Sequence, residues 1–304
     1  MLKRKDLLGL KDISAEEIAE ILETAAQMKK ILDQNVKKTP HLQGKNVTTL
    51  FYENSTRTRV SFETAAKILG ANTFSISSST SSTQKGETLI DTGRNLDALL
   101  TDVIVLRSAH SGAARLLAKN VRAAVINAGD GTNEHPTQAL LDIFTMQNRF
   151  GPLKGLKVVI AGDIRFSRVA RSNIWGLNKL GASVTVVAPK TLLPADVAGM
   201  GCAASVDLDA SMAGANVVMG LRVQNERQTS PPFPSVNEYA KYFGITAERL
   251  NLADPGALVM HPGPVNRGVE LSGAAADEPN SVILEQVTNG VAVRMAVLFL
   301  LTRR

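Results

Sequence analysis

Hydrophobic residues along this chain occur in short runs, which alternate with longer stretches of helical periodicity. Short runs rich in β-branched residues and bounded by turn residues are typical of buried strands. They occur at residues 47–52, 72–76, 102–107, 123–127, 157–161, 183–188, 216–220 and 257–260. Apolar residues at helical spacing predict the clearest helices at 14–32, 136–149, 168–180 and 235–243. Ser14 and Glu17 add a capping-box pattern to the first of these helices.

The repeated alternation of strands and helices predicts an α/β fold with two doubly wound parallel-sheet domains. FGPLKG at 150–155 places two glycines and a proline between periodic elements and is therefore the best candidate for a domain boundary. We expect a first domain over 1–149, a second over 150–284, and a C-terminal helix over 285–304 that packs back on the first domain. Sites in such sheets lie beyond the carboxyl ends of the strands, so the active site is expected in the crevice between the domains.

The amino-acid composition limits the classes of function that are expected for this chain. Of 304 residues 44% are hydrophobic and only 4% aromatic, which suits cores built from Val, Leu, Ile and Ala. The single cysteine, Cys202, excludes an internal disulfide and favours a reducing compartment, so a cytoplasmic location is expected. A net charge of +6 would permit nucleic-acid binding, but the basic residues are scattered and accompany no nucleic-acid motif. Acidic small substrates explain the positive excess equally well.

Neither end of the chain predicts a membrane partner. The N-terminal stretch MLKRKDLLGLKD has basic residues but no sustained apolar run of the kind found in secretion signals. The longest apolar run, VAVRMAVLFLL at 291–301, contains Arg294 and is too short to cross a bilayer. We expect this run to form a C-terminal helix that docks on the core.

The segment FYENSTRTRVSF at 51–62 predicts the end of a strand, a turn and the first turns of a helix. Ser55 stands at the N-cap, where free backbone N–H groups and the helix dipole favour a bound anion such as phosphate. Arg57 and Arg59 would oppose that dipole without an anion, and a guanidinium matches phosphate oxygens two at a time. The alternative is an ordinary capped helix with solvated arginines. The first hypothesis is an anion site.

Polar side chains also follow other predicted strands. These residues are Arg107, His135, Gln138, Arg168, Arg222 and Gln224. A lone histidine at a helix start is more often a capping or packing residue, and the Ser-rich loop at 75–87 is by default a mobile surface loop. GDIRFSR at 162–168 lacks the second and third glycines of a dinucleotide fingerprint, which weakens the rival hypothesis of a dehydrogenase.

STRTR at 55–59 and HPTQ at 135–138, in this order and spacing, make the chain resemble the aspartate/ornithine carbamoyltransferase family over almost its whole length. The resemblance implies that the predicted anion is the phosphate of carbamoyl phosphate. It implies that residues 1–149 bind carbamoyl phosphate and that residues 150–284 bind the amino acid. A homotrimer is implied as well, because a loop of each subunit reaches into the neighbouring site.

The resemblance assigns roles to individual residues. The catalytic groups would be Arg57, Thr58, Lys85, Arg107 and His135. Carbamoyl phosphate would be held by Ser55, Thr56, Arg57, Thr58, Arg107, His135 and Gln138, with backbone contacts from Pro262 and from Gly263, where many members have Leu. Aspartate would be held by Lys85, Arg168, Arg222 and Gln224. The loop residues supplied by the neighbouring subunit would be Ser81 and Lys85.

Differences within the family favour aspartate as the substrate. Ornithine-using members characteristically have His-Cys-Leu-Pro where this chain has HPGP at 261–264, and an Asp-x-x-x-Ser-Met-Gly element where it has RVQNER. Arginines suit a dicarboxylate and would repel a cationic diamino acid. The expected activity is transfer of a carbamoyl group to the amino group of L-aspartate, in de novo pyrimidine biosynthesis. A carbamoyltransferase for ornithine or another amino acid, and a non-catalytic scaffold of the same fold, stay open.

No motif in the sequence predicts a covalent nucleophile, a cofactor or a metal. There is no G-x-S-x-G elbow, and the four histidines include no H-E-x-x-H pair. Catalysis is therefore expected to depend on positioning two anions and on stabilising an oxyanion. The partners expected are carbamoyl phosphate, L-aspartate and identical chains, with no nucleic acid and no membrane. A larger assembly with regulatory or dihydroorotase-like chains stays open.

Overall fold

The computed structural model describes residues 2–77, 86–224 and 233–303. The chain divides into two compact units. The first unit comprises Met1–Leu141 with Thr288–Arg304, and the second comprises Asp142–Val287. These limits fall inside two helices, whereas the limits expected from turn residues lie at 149/150 and 284/285. The latter stay predictions about where the two binding domains meet along the chain.

The first unit contains a four-stranded parallel sheet in the order β2-β1-β3-β4. Its elements, in chain order, are α1 (Ala15–Leu32), β1 (Asn46–Phe51), α2 (Thr56–Ile68), β2 (Asn72–Ser77), α3 (Leu89–Ala98), β3 (Val103–Ser108), α4 (Ala113–Ala118), β4 (Ala124–Asp130) and the start of α5 (Pro136–Phe150). Each of the four predicted strands is confirmed. The predicted capping box is confirmed too, since Ser14 and Glu17 each accept from the other's backbone N–H.

The second unit contains a five-stranded parallel sheet in the order β7-β6-β5-β8-β9. Its further elements are β5 (Lys157–Gly162), α6 (Arg168–Lys179), β6 (Ser183–Val187), β7 (Ala203–Ser205), α7 (Leu208–Met212), β8 (Val217–Leu221), α8 (Val236–Phe243), α9 (Ala247–Leu250), β9 (Leu258–Met260), α10 (Gly273–Ala276) and the start of α11 (Ile283–Thr302). The two parallel-sheet α/β units confirm the predicted fold class. Strand β7 was not predicted, because its three small residues form no hydrophobic run.

Each sheet has one point at which the chain reverses the direction in which it adds strands. In the first unit this switch point lies between β1 and β3, and in the second it lies between β5 and β8. At a switch point the loops that follow the two neighbouring strands run in opposite directions, and this forms a crevice at the carboxyl edge of the sheet. Both sheets therefore have a site for a ligand at a position that the strand order alone defines.

Helix α11 comprises 20 residues and begins two residues before the C-terminal helix expected over 285–304. By length and composition it would be able to cross a membrane, but the part within the first unit is a core helix. Residues 292–298 are almost fully buried there. Arg294 on this helix donates to Oγ of Ser61 on α2 at 2.9 Å, and its guanidinium lies over the ring of Phe62.

Candidate active site

The start of helix α2 is the predicted anion site, and it lies directly after β1 at the switch point of the first unit. Ser55 is the N-cap, as predicted, but its side chain makes no capping hydrogen bond. Thr56 and Arg57 are exposed, whereas Thr58 is buried. The first turn contains no acidic residue. Backbone N–H groups, hydroxyls and a cation thus surround a helix start with no carboxylate in its first turn, which suits an anionic ligand.

Arg107 lies at the carboxyl end of β3, on the other side of the same switch point. It pairs in register with Phe51 of β1, and its carbonyl accepts from the N–H of Tyr52 at 2.9 Å. Its guanidinium donates to the carbonyl of Ala128 in β4 at 3.1 Å and lies 3.7 Å from the carboxylate of Glu53. These contacts hold the Arg107 side chain along the strand ends next to the α2 start, so the structure brings together two of the sequence motifs.

His135 stands directly before α5, at the end of a loop that is tied down by a buried carboxylate. Oδ1 of Asp130 accepts from the side chain of Asn127 at 2.7 Å and from the N–H of Glu134 at 3.2 Å. Oδ2 of Asp130 accepts from the N–H of Gly112 at 2.7 Å. Asn127 and Asp130 are almost fully buried. This network determines the position of His135 directly before the helix. The signal of the network in the sequence is the pair of polar residues inside the otherwise apolar run AVINAGD.

The N-terminal segment is attached to the same loop through Glu134. The carboxylate of Glu134 accepts from the backbone N–H groups of Leu10 and Lys11 at 2.6 and 3.2 Å. A Cβ atom on Gly9 would collide with this carboxylate, so a larger residue there would displace the carboxylate from these two N–H groups. Leu7 pairs with β4, because its N–H donates to Val125 and its carbonyl accepts from Asn127. Residues 7–11 therefore stabilise the loop that ends at His135, a role that sequence reasoning missed.

Gln138 and Thr137 lie in the first turn of α5. Both are buried, and the carbonyl of His135 accepts from the N–H of Gln138 at 3.0 Å. The hydroxyl of Thr137 is buried and makes no hydrogen bond within the described part of the chain. The HPTQ motif is thus a compact helix start, and the roles of its residues toward carbamoyl phosphate stay predictions.

Arg168, Arg222 and Gln224 lie at the switch point of the second unit. Arg168 begins α6 after β5 and is 6% exposed, whereas Arg222 and Gln224 follow β8 and are half-buried. Asp163 joins the two loops, because Oδ1 accepts from the N–H of Phe166 at 3.0 Å and Oδ2 from the N–H of Gln224 at 3.2 Å. The side-chain amide of Gln224 donates to the carbonyl of Phe166 at 3.2 Å. The structure therefore brings these predicted site residues to one sheet edge.

Gly162 and Asp163 were not predicted as site residues. Gly162 ends β5 at a φ of +139°, and a Cβ there would collide with the carbonyl of Leu221 in β8. A side chain at position 162 would separate the two strands at the switch point. The signal in the sequence is the Gly-Asp pair that directly follows the apolar run LKVVIA.

Pro262 and Gly263 follow the short strand β9, and both are half-buried. Burial and the nearby carboxylates of Glu270 and Asp163 raise the pKa of the Tyr239 phenol in this unit.

Ser81 and Lys85, the two loop residues expected to reach the neighbouring site, lie outside the described residues. Among the residues that the structure does describe, no cluster of three or more His, Cys, Asp or Glu side chains could hold a metal ion.

Two domain families match the chain one after the other. The carbamoyl-P binding domain of aspartate/ornithine carbamoyltransferase matches residues 5–148, and the Asp/Orn binding domain of the same family matches residues 154–301. The aspartate carbamoyltransferase catalytic subunit of Ruminiclostridium cellulolyticum is 61% identical over 303 residues, which cover 100% of this chain and 97% of the relative. The resemblance seen in STRTR and HPTQ thus extends over both domains.

Solved structures with the same two-unit fold include enzymes that use different amino acids. Aspartate transcarbamoylase from Trypanosoma cruzi, in complex with carbamoyl aspartate and phosphate, has a TM-score of 0.88 and 32% identity, and the match covers 98% of this chain and 96% of that one. Ornithine carbamoyltransferase from Thermus thermophilus has a TM-score of 0.88 and 26% identity, with coverage of 99% and 100%. Since the full-length identity of 61% is to an aspartate enzyme, the chain belongs to the aspartate/ornithine carbamoyltransferase family, in its aspartate carbamoyltransferase branch.

Proposed function

We propose that the chain transfers the carbamoyl group of carbamoyl phosphate to the amino group of L-aspartate, giving N-carbamoyl-L-aspartate and phosphate, in de novo pyrimidine biosynthesis. The first unit would bind carbamoyl phosphate through residues 55–58, Arg107, His135 and Gln138. The second would bind aspartate through Arg168, Arg222 and Gln224.

The observation that carries this proposal is the position of these residues at the switch points. The α2 start and Arg107 flank β1 and β3 in the first unit. Arg168 and Arg222 flank β5 and β8 in the second. Phosphate suits the helix start with its nearby arginines, and a dicarboxylate suits the second pair of arginines. The chemistry available at each switch point therefore matches one of the two substrates.

The reaction needs no covalent intermediate with the enzyme. The neutral amine of aspartate attacks the carbamoyl carbon, a C–N bond forms, and the C–O bond to phosphate breaks. His135, Arg107 and Thr58 would stabilise the oxyanion of the tetrahedral intermediate, while Arg57 would stabilise the leaving phosphate. The phosphate itself can accept the proton that the amine loses. Catalysis then rests on positioning two anions and on donors that are in place before the reaction begins.

An assay of the purified chain with carbamoyl phosphate and either aspartate or ornithine tests the function. We expect formation of carbamoyl aspartate and at most trace formation of citrulline, since arginines at the second switch point repel a cationic amino acid. Faster reaction with ornithine would assign the other amino acid. No product with either would favour a non-catalytic scaffold.

Replacing Arg222 by glutamine tests the amino-acid site. We expect the KM for aspartate to rise about 10- to 100-fold, because a neutral amide cannot make the charged two-pronged contact to a carboxylate. The affinity for carbamoyl phosphate should stay nearly unchanged. Arg165→Gln is the matched control, since Arg165 is an exposed arginine of the same unit. Equal weakening toward both substrates in Arg222→Gln would indicate a folding defect and contradict the assignment.

We further propose that the chain acts in the cytoplasm as a homotrimer. Exposed apolar side chains on the first unit support a contact between subunits, because Phe74, Leu99 and Leu100 are 53%, 72% and 74% exposed. Leu100 lies beside the start of the edge strand β2, since Asn46 donates to its carbonyl and accepts from Asn72. A relative named as a catalytic subunit supports the proposal that the chain acts within a larger assembly.

Complementation between two inactive variants tests the shared site. In Lys85→Ala and His135→Ala homotrimers every site lacks one essential group, so each protein alone should be nearly inactive. Mixed trimers should regain activity, because a subunit with intact His135 receives the loop of a subunit with intact Lys85. The measurement is activity after the two proteins are denatured, mixed and refolded, with a charge tag to verify subunit exchange. Hybrids that form and stay inactive would contradict a site shared through Lys85.

A further inference from the structure

The turn that follows β9 holds an unusual set of backbone groups. Pro262 and Pro264 have no N–H group, so Gly263 has the one backbone donor between them. That N–H is already used, since it donates to Nδ1 of His261 at 2.8 Å. The segment 262–264 therefore offers carbonyl oxygens to a ligand and no backbone donor. Pro262 and Gly263 are half-buried, so a ligand can reach them.

The hydrogen bond from Gly263 also defines the protonation of the histidine ring. A backbone N–H can only donate, so Nδ1 of His261 accepts and carries no proton. The ring proton is then on Nε2, which lies 3.3 Å from Oε1 of Glu270. The same carboxylate oxygen accepts from the N–H of Asn266 at 2.6 Å. The turn is thus attached at both ends, at Gly263 and at Asn266, to one buried pair of side chains.

A series of hydrogen bonds between buried residues connects His261 to Gln286, Asp142 and Asn173. The N–H of His261 donates to Oε1 of Gln286 at 3.0 Å, and Nε2 of Gln286 donates to Oδ1 of Asp142 at 2.8 Å. Oδ2 of Asp142 accepts from the amide of Asn173 at 2.8 Å. Glu270 and these four residues are each at most 2% exposed. The ring of His261 packs against Gly220 of β8, where a Cβ would come within 3.2 Å.

The stability of the fold alone does not explain this series of buried polar residues. Burying polar groups costs free energy even when they are hydrogen-bonded to one another, and an apolar set of similar volume is often at least as stable. The hydrogen bonds to His261, Gln286 and Asp142 do fix one geometry, because each of them has a preferred direction. The geometry fixed here is that of the carbonyls of Pro262 and Gly263.

We infer that His261 is a positioning residue that makes the turn at 262–264 an acceptor-only surface and thereby selects the amine of carbamoyl phosphate. The inference rests on the proposed function. Acetyl phosphate has a methyl group where carbamoyl phosphate has its amine, so it would leave both carbonyls without a donor. A site built to pair with an N–H group discriminates strongly against an analogue that lacks it.

Two substitutions separate the two contacts of the ring. In His261→Asn the side-chain oxygen can still accept from the N–H two residues later, as asparagine does in turns, but it cannot reach Glu270. In His261→Gln the longer amide replaces Nε2 near Glu270, and the Gly263 N–H becomes a free donor. Val259→Ala in β9 is the control for lost stability, because Val259 is a buried core residue and its side chain makes no polar contact.

The measurement is the ratio of dissociation constants for acetyl phosphate and carbamoyl phosphate, obtained by titration calorimetry on the folded full chain. We expect His261→Gln to reduce this ratio about tenfold or more, and His261→Asn and Val259→Ala to stay within about threefold of the unaltered chain. The KM for aspartate should change little in all three. If His261→Gln does not fold, Gln286→Met, which removes the acceptor for the His261 N–H, should reduce the ratio in its place.

Three results would overturn the inference: an unchanged ratio in His261→Gln, equal losses in the asparagine and glutamine variants, or an equal loss in Val259→Ala. Failure of the proposed function looks different. In that case the unaltered chain would bind carbamoyl phosphate no better than acetyl phosphate and would form no carbamoyl aspartate.

Discussion

Arg57→Ala should leave a folded chain whose turnover of carbamoyl phosphate and aspartate is about 100- to 1000-fold slower. Arg57 is exposed at the start of α2, so its removal takes no side chain out of the core. The loss arises because the charged contact to the leaving phosphate is strongest in the transition state, when negative charge accumulates on the phosphate. Steady-state kinetics at saturating substrate measures the effect, and a thermal melt near that of the unaltered chain establishes that the fold survives.

Lys67→Ala is the matched control for Arg57. Lys67 lies in the last turn of the same helix and is exposed, so its removal changes the net charge by the same amount. If net charge alone attracted the substrate, both variants would be affected alike. Turnover that is normal in Arg57→Ala would contradict the phosphate site at 55–58.

His135→Ala should lower turnover at saturation by roughly ten- to a thousandfold, the range for removing one oxyanion donor or general catalyst. The affinity for carbamoyl phosphate should fall much less, because the oxyanion develops only in the transition state. His135→Gln should recover part of the loss, since its amide still donates a hydrogen bond. Turnover and the dissociation constant of carbamoyl phosphate, measured separately, distinguish the two effects.

His110→Ala is the control for His135. His110 is an exposed histidine of the first unit and follows β3, so its removal changes composition without touching the predicted site. A collapse of carbamoyl phosphate binding in His135→Ala with normal turnover at saturation would assign His135 to ground-state binding. That outcome would contradict the oxyanion role.

The loop around His135 shows which parts of the candidate site were predicted from the sequence and which were not. Its placement after a strand and at a helix start was predicted from HPTQ and is confirmed. The residues that hold it, Asn127, Asp130 and Glu134, were not predicted. Glu134 accepts from Leu10, which is 124 positions away along the chain. Such a partner has no signature in local periodicity, because periodicity reports only which residues share a face of one element.

The same limit applies to the second unit. Arg168 and Arg222 were each predicted to follow a strand, and each does so. That Asp163 joins their loops, and that Gly162 must be glycine where β5 meets β8, became evident only from the packing of the two strands. Gln286 and Asp142, which support the turn at His261, are 144 positions apart. Neither would be selected from the sequence as a functional residue.

The sequence by itself determined the position of the principal strands, the α/β class, and the fact that polar motifs follow strand ends. It could do so because β-branched apolar runs, helical spacing and turn residues are local signals. Tertiary structure decided the strand orders β2-β1-β3-β4 and β7-β6-β5-β8-β9. Strand order depends on how crossover helices pack on the sheets, which is a long-range property. Only that packing brings the end of β1 beside the end of β3, and so makes one site from two distant motifs.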